Sequence, residues 1–153
     1  MSYAAFKIVH VFGVVLFLGN IIVTAMWKAL ADQTKDPRIV AFAQRLITRT
    51  DWVFTLGGIV MLVIGAYGMV FVGGLDLRQS WLMWGQGLLA ASGVVWVAVL
   101  LPVQTAQSKL ARGFAAGGEI PKHYWELNRR WMIWGTIATV LPLANLYVMI
   151  IKP

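Results

Sequence analysis

The feature that most constrains this chain of 153 residues is a set of four apolar runs, each about as long as a bilayer is thick. A helix needs about 20 residues, at about 1.5 Å each, to cross the hydrocarbon core. Only 12% of the residues are charged, whereas soluble domains carry about 25%. The sequence therefore predicts an all-α, integral membrane four-helix bundle that forms a single domain. Its spans are expected at about residues 6–27, 52–72, 81–101 and 131–151.

Proline and glycine mark the limits of the predicted helices. Asp36 followed by Pro37 is typical of a helix start, with an aspartate cap and a proline in the first turn. Gly73 and Gly74 are expected to end the same helix. Pro102 is expected to kink the third helix without ending it, because the sequence beyond it still has a helical pattern. Helices two to four therefore extend beyond the bilayer on one side.

The basic residues are distributed unevenly along the chain. Ten of the thirteen lie in two long connections, 28–51 and 104–130, and the others are Lys7, Arg78 and Lys152. Connections rich in Lys and Arg stay in the cytoplasm. We therefore expect a multi-pass protein of the bacterial inner (plasma) membrane, with both termini outside and the helical extensions in the cytoplasm. The basic surface is expected to contact anionic lipid headgroups and no nucleic acid.

Polar side chains occur at one depth in all four predicted spans. His10, Tyr67, Gln86 and Asn145 lie one to two turns below the outer surface, and Lys7 lies one turn before His10. Ionisable groups inside a membrane usually face a partner or a cofactor. These five residues therefore predict a polar pocket near the outer leaflet, with His10 as the candidate metal ligand. The alternative is structural: the amides form interhelical hydrogen bonds, the tyrosine lies at the interface, and the lysine reaches the outer surface.

The nature of the ligand depends on His10, because the other histidine, His123, lies on the opposite side of the predicted membrane. The helix face that carries His10 is mostly apolar, and Gly13 follows on it. This face suits either a flat ligand such as a porphyrin or close helix packing. A haem would need a second axial ligand such as methionine or lysine, a five-coordinate iron, or a partner subunit.

The absence of cysteine excludes disulfides, thiolate metal sites, iron–sulfur ligation and cysteine nucleophiles. Copper(I) is a second candidate metal, because histidine and thioether sulfur suit it. The methionines near the outer surface are Met69, Met83 and Met149. No hydrolase, kinase or nucleotide signature occurs, since the paired glycines lack the strand–turn–helix setting that phosphate binding needs. The sequence thus leaves open whether the protein is an enzyme.

Three long segments and the last two residues resemble a family of small bacterial integral membrane proteins of unknown function. They are FKIVHVFGVVLFLGNIIVTAMWKAL, DPRIVAFAQRLITRTDWVFTLGG, LLPVQTAQSKLA and KP. More distantly, Lys7-x-x-His10 is similar to the first helix of HemJ-type protoporphyrinogen oxidases and of CopD-like copper proteins. HemJ-type proteins bind haem b, so this resemblance implies His10 as a haem ligand. The later histidine and the arginine of the HemJ motif are absent, and Trp27-Lys28 lie near that place.

Four functions are compatible with these observations. The leading hypothesis is a small membrane protein that binds haem b or another small ligand through His10. The alternatives are a HemJ-like oxidoreductase working with a quinone or porphyrin, a copper transport or accessory protein, and a structural bundle without a cofactor. Four spans of this length bury one shared seam, which is compatible with a homodimer.

Overall fold

The computed structural model of the protein describes residues 1–152, and its secondary structure is entirely helical in that range. Four long helices form the bundle: α1 (Tyr3–Gln33), α2 (Pro37–Gly73), α3 (Ser80–Phe114) and α4 (Lys122–Ile151). Each is long and apolar enough to cross a membrane. The prediction of an all-α protein with four spanning helices is therefore confirmed. The limits of each span within the bilayer stay predictions.

The helix ends follow the signals in the sequence. The Asp36 side chain accepts hydrogen bonds from the two backbone N–H groups that open α2, at 2.8 and 3.4 Å. Gly74 ends the same helix in the left-handed conformation, with a φ of 62°, which glycine adopts without a steric penalty. As predicted, α3 continues through Pro102, and α4 likewise continues through Pro142.

Two of the helices contain a π-helical turn that the sequence analysis did not predict. In α2 the turn comprises Asp51–Thr55, and in α3 it comprises Trp96–Leu100. The second turn lies directly before Pro102, whose ring lacks an N–H group and crowds the turn before it. π-helical turns change the direction of nearby side chains and are frequent at functional sites.

The four helices are arranged as two hairpins. Along the apolar part of the bundle, α1 packs against the Leu56–Gly73 segment of α2, and the Ser80–Val95 segment of α3 packs against α4. These two segments of α2 and α3 have no Cα atoms within 8 Å of each other. The hairpins pack together mainly at the other end, termed the basic end, where α2 begins and α3 ends. The opposite end, where α1 begins, is termed the terminal end.

Glycines allow the backbones of α1 and α2 to approach closely. Gly13 and Gly58 lie against each other across the interface, and Gly65 lies against the backbone of His10. A Cβ atom at any of these glycines would overlap atoms of the facing helix. Small residues commonly permit this kind of packing in membrane bundles. Of the two roles expected for this face of α1, close helix packing is the one observed at Gly13, where the backbone of α2 occupies the space.

Replacing Gly58 by alanine is expected to lower the free energy of unfolding by about 1–3 kcal/mol, because the new Cβ would overlap the α1 backbone. Gly57→Ala is the matched control, because a Cβ at that position meets nothing within 4 Å. It is expected to be neutral or slightly stabilising, since alanine favours a helix. Thermal unfolding in detergent micelles measures both variants. Equal stabilities would contradict the close approach of α1 and α2.

A buried ion pair stabilises the basic end. Lys28 is fully buried, and its Nζ lies 3.1 Å from Asp32 Oδ2 and donates to Tyr124 Oη at 3.1 Å. The ammonium also lies 5.3 Å from the Tyr124 ring centroid and 5.6 Å from that of Trp131. Tyr124 donates to Gln44 Oε1 at 3.3 Å. This cluster joins α1, α2 and α4, so Lys28 lies in the core and not on the basic surface where the sequence analysis counted it.

Asp32→Ala is expected to lower the free energy of unfolding by about 3 kcal/mol, because it leaves the buried Lys28 ammonium without its anion. The comparison is Asp36→Ala, which removes an exposed helix cap and is expected to cost about 1 kcal/mol. Chemical denaturation of the purified protein measures both. A smaller loss for Asp32→Ala than for Asp36→Ala would show that the ion pair contributes no net stability.

Candidate functional site

A cleft between the two hairpins contains two adjoining cavities, each of about 330 Å³. Phe17 and Leu89 line both cavities and therefore mark the boundary between them. One cavity lies toward the terminal end and is lined by His10, and the other lies toward the basic end and is lined by Asp51. They are termed the His10 cavity and the Asp51 cavity. Each is as large as the smaller ligand pockets of proteins, whose volumes start at about 300 Å³.

The His10 cavity brings together four of the five predicted site residues. His10 lines it from α1, Tyr67 from α2, Gln86 from α3 and Asn145 from α4. Lys7 is exposed and is not part of the lining. The common depth seen in the sequence thus corresponds to one cavity, while the binding roles of all five residues stay predictions.

The hydrogen bond of His10 defines the state of its ring. Nδ1 lies 2.8 Å from the backbone carbonyl oxygen of Leu62 on α2. A carbonyl oxygen can only accept, so Nδ1 carries a proton, and in the neutral ring Nε2 keeps its lone pair. No residue in the described range 1–152 donates to Nε2. Histidines that bind metals usually donate their other N–H group in this way, and the same bond also connects α1 to α2.

The other polar residues of the His10 cavity form interhelical hydrogen bonds. Tyr67 Oη donates to Gln86 Oε1 at 2.9 Å across the cleft, and Gln86 Nε2 donates to the Leu82 carbonyl at 3.2 Å. Asn145 Nδ2 donates to the Gly85 carbonyl at 3.0 Å, within the α3–α4 hairpin. Asn145 Oδ1 is buried and has no partner in the described structure. The structural role expected of the amides is therefore present, but one buried acceptor is left open.

Only one of the three methionines considered as copper ligands lines the His10 cavity. That residue is Met149, whereas Met69 and Met83 lie outside the lining. Within residues 1–152, no group of three or more His, Asp or Glu side chains could hold a metal ion. The lining therefore offers one imidazole nitrogen and one thioether sulfur as metal donors.

The Asp51 cavity contains a carboxylate network that the sequence analysis did not identify. Asp51 Oδ1 accepts hydrogen bonds from Asn20 Nδ2 and from Thr55 Oγ1, each at 3.0 Å. Asp51 Oδ2 accepts from Gln104 Nε2 at 2.9 Å. Thr24 Oγ1 in turn donates to Asn20 Oδ1 at 3.3 Å. The network joins α1, α2 and α3, and the π-helical turn of α2 supplies both Asp51 and Thr55.

A signal for this network was present in the sequence. The sequence analysis compares only the depths of side chains below the surface at the terminal end. It also places Asp51 in the basic connection 28–51. Counted from the basic end, Asn20, Asp51 and Gln104 also lie close to one depth in three helices. The spans predicted at 52–72 and 81–101 place Asp51 and Gln104 outside the bilayer, so the comparison of depths that identified the residues of the His10 cavity does not reach them.

The fold and the cleft define the class of this protein: a multi-pass integral membrane protein with four spanning helices. Residues 4–153 match a family described as "Predicted integral membrane protein (DUF2269)", so the chain belongs to that family. No curated protein and no solved structure matches the chain. The expected membership in a family of integral membrane proteins is confirmed, and no similarity to HemJ-type or CopD-like proteins is shown.

Proposed function

We propose that this protein binds a small, flat, largely apolar ligand between its hairpins, with haem b as the first candidate and His10 as its iron ligand. The observation that carries the proposal is the free Nε2 of His10 on the wall of a cavity. The Leu62 carbonyl orients the imidazole and fixes its tautomer, so the lone pair needs no rearrangement before it binds a metal.

The lining of the His10 cavity fits a porphyrin in its chemistry. Apart from its four polar side chains, the lining consists of apolar residues and glycine. Met149 lines the same cavity, so its thioether would help to hold the iron. Haem b bound there would supply one-electron redox chemistry, while the hairpins would exclude water from the ring.

A ligand without metal is the second candidate, and Asn145 is the observation that favours it. Asn145 Oδ1 and His10 Nε2 are two open acceptors on the same cavity. A quinol or a porphyrinogen donates hydrogen bonds through O–H or N–H groups, and it would donate to Nε2 and, once the buried amide turns toward the cavity, to Oδ1. This ligand class corresponds to the oxidoreductase alternative, whereas copper is supported only by the single thioether of Met149.

The haem proposal predicts that the purified protein, titrated with haem b in detergent, develops a shifted Soret band that saturates at one haem per chain. His10→Ala is expected to abolish the shift or weaken binding at least tenfold, because the axial nitrogen is lost. His123→Ala is the matched control, since that histidine is exposed and pairs with Glu126. It is expected to bind haem as the wild-type protein does.

Two outcomes would overturn the haem proposal: no saturable binding by the wild-type protein, or equal binding by His10→Ala. Titration with a quinol analogue then tests the second candidate, for which Asn145→Leu is expected to weaken binding at least tenfold. If His10→Ala lowers only the melting temperature and neither ligand binds, the His10–Leu62 hydrogen bond has a structural role alone.

We also propose that the basic end lies in the cytoplasm of a bacterial inner membrane, with both termini outside. The support is the positive-inside rule, because ten of the thirteen basic residues belong to the connections at this end. Anionic lipid headgroups would then neutralise its exposed lysines and arginines. The homodimer stays a prediction.

Cysteine labelling tests this orientation directly, because the native chain contains no cysteine. Arg78→Cys places a thiol in the exposed turn of the terminal end, and Glu119→Cys places one in an exposed turn of the basic end. A membrane-impermeant maleimide added to spheroplasts is expected to label only the first variant. Labelling of the second alone would reverse the proposed topology, and both should react after detergent lysis.

A further inference from the structure

We propose that the Asp51 cavity binds a monovalent organic cation with an apolar body, such as a quaternary ammonium ion. The proposal concerns a different cavity and a different charged group from those assigned to haem. It is therefore independent of the function proposed for His10. Three features of the cavity carry it: its charge, its hydrogen bonds and its walls.

The first feature is a carboxyl group without a cationic partner. Asp51 is the one ionisable residue in the lining of its cavity. Within residues 1–152, no lysine, arginine or histidine forms an ion pair with it. Lys28, whose ammonium lies against the ring of Trp131 in the same lining, is already paired with Asp32. An ionised carboxylate in an apolar site is costly without a positive partner. A cationic ligand would supply the counterion that residues 1–152 do not provide.

The second feature is the set of hydrogen bonds that the carboxylate already accepts. Three neutral donors occupy Asp51: two on Oδ1 and one on Oδ2. All three donate, which is the arrangement that an ionised carboxylate requires. Three of the about four acceptor positions of the carboxylate are thus occupied, so a primary amine or a hydrated metal ion finds at most one position on Oδ2 without displacing a donor. A quaternary ammonium ion donates no hydrogen bond and interacts through charge alone, so the network could stay intact around it.

The third feature is the composition of the cavity walls. Trp96 and Trp131 line the cavity together with aliphatic side chains, glycines and five hydroxyl-bearing residues, which are Thr24, Thr55, Ser92, Thr136 and Thr139. Tryptophan rings are the aromatic side chains that attract organic cations most strongly, and quaternary ammonium ions are typically bound this way. The two π-helical turns begin with Asp51 and Trp96, so both irregular turns contribute to the same cavity. Its volume of about 330 Å³ suits an ion with one aromatic or short aliphatic group.

The test is a titration with benzyltrimethylammonium of the full chain in nanodiscs of phosphatidylglycerol, a lipid without an amine. Isothermal titration calorimetry measures the Kd, and empty nanodiscs correct for partition into lipid. The uncharged isostere neopentylbenzene, in which carbon replaces the nitrogen, measures the contribution of charge. The wild-type protein is expected to bind the cation at least tenfold more tightly than the isostere.

Asp51→Asn is expected to weaken binding of the cation at least tenfold and to leave binding of the isostere unchanged. Asp51→Glu keeps the carboxyl group and is expected to retain most of the affinity for the cation. Asp36→Asn is the matched control, because it removes an exposed carboxylate but keeps a side chain able to cap a helix. It is expected to bind as the wild-type protein does.

A cavity-filling variant keeps the proposal testable if Asp51→Asn does not fold. Gly135 lines the cavity, and a Cβ at that position meets nothing within 4 Å. Gly135→Leu is therefore expected to fold and to abolish binding of the cation. The proposal is overturned if the wild-type protein does not bind the cation or binds the isostere equally well. Unchanged affinity in Asp51→Asn, or in a folded Gly135→Leu protein, also overturns it.

Discussion

The hydrocarbon of a bilayer offers no hydrogen-bond partner, so each polar group of a spanning helix must find one inside the bundle. Most do so here: His10 donates to Leu62, Asn145 donates to Gly85, and three side chains donate to Asp51. Within residues 1–152, two acceptors of residues that line the His10 cavity, His10 Nε2 and Asn145 Oδ1, have no donor, and the Asp51 carboxyl group has no cationic partner. Because such groups are costly in this solvent, their position along one cleft supports a ligand-binding role for the cleft.

The packing of the helices explains why the cleft exists. Glycines bring α1 and α2 into backbone contact, and the cluster around Lys28 joins α1, α2 and α4 at the basic end. The apolar segments of α2 and α3 have no comparable approach to each other, so the space between the hairpins is left to side chains and cavities. Lipid offers no hydrophobic advantage for closing this space, because its tails are as apolar as leucine. Tight packing within each hairpin can therefore coexist with a cleft between them.

Much of the fold could be predicted from local signals. Helix length, the cap at Asp36 and the break at Gly74 depend on neighbouring residues, and the common depth of the four residues of the His10 cavity follows from helix geometry. The burial of Lys28 and the packing role of Gly13 depend on contacts between helices, which no local pattern contains. Asp51 was missed for a different reason: a charged residue at the end of an apolar run looks like part of a solvated connection. Its partners Asn20 and Gln104 lie far away in the sequence.

The central claim is that the cleft between the hairpins holds a ligand that contacts His10 Nε2. A cryo-electron microscopy or crystallographic map of the protein, extracted from its membrane with the ligand retained, tests this claim most directly. The account predicts non-protein density in the His10 cavity, in contact with Nε2 and bounded by Phe17 and Leu89. A map in which the hairpins close on each other, with the imidazole bonded at both nitrogens to protein and no space beside it, would contradict the account.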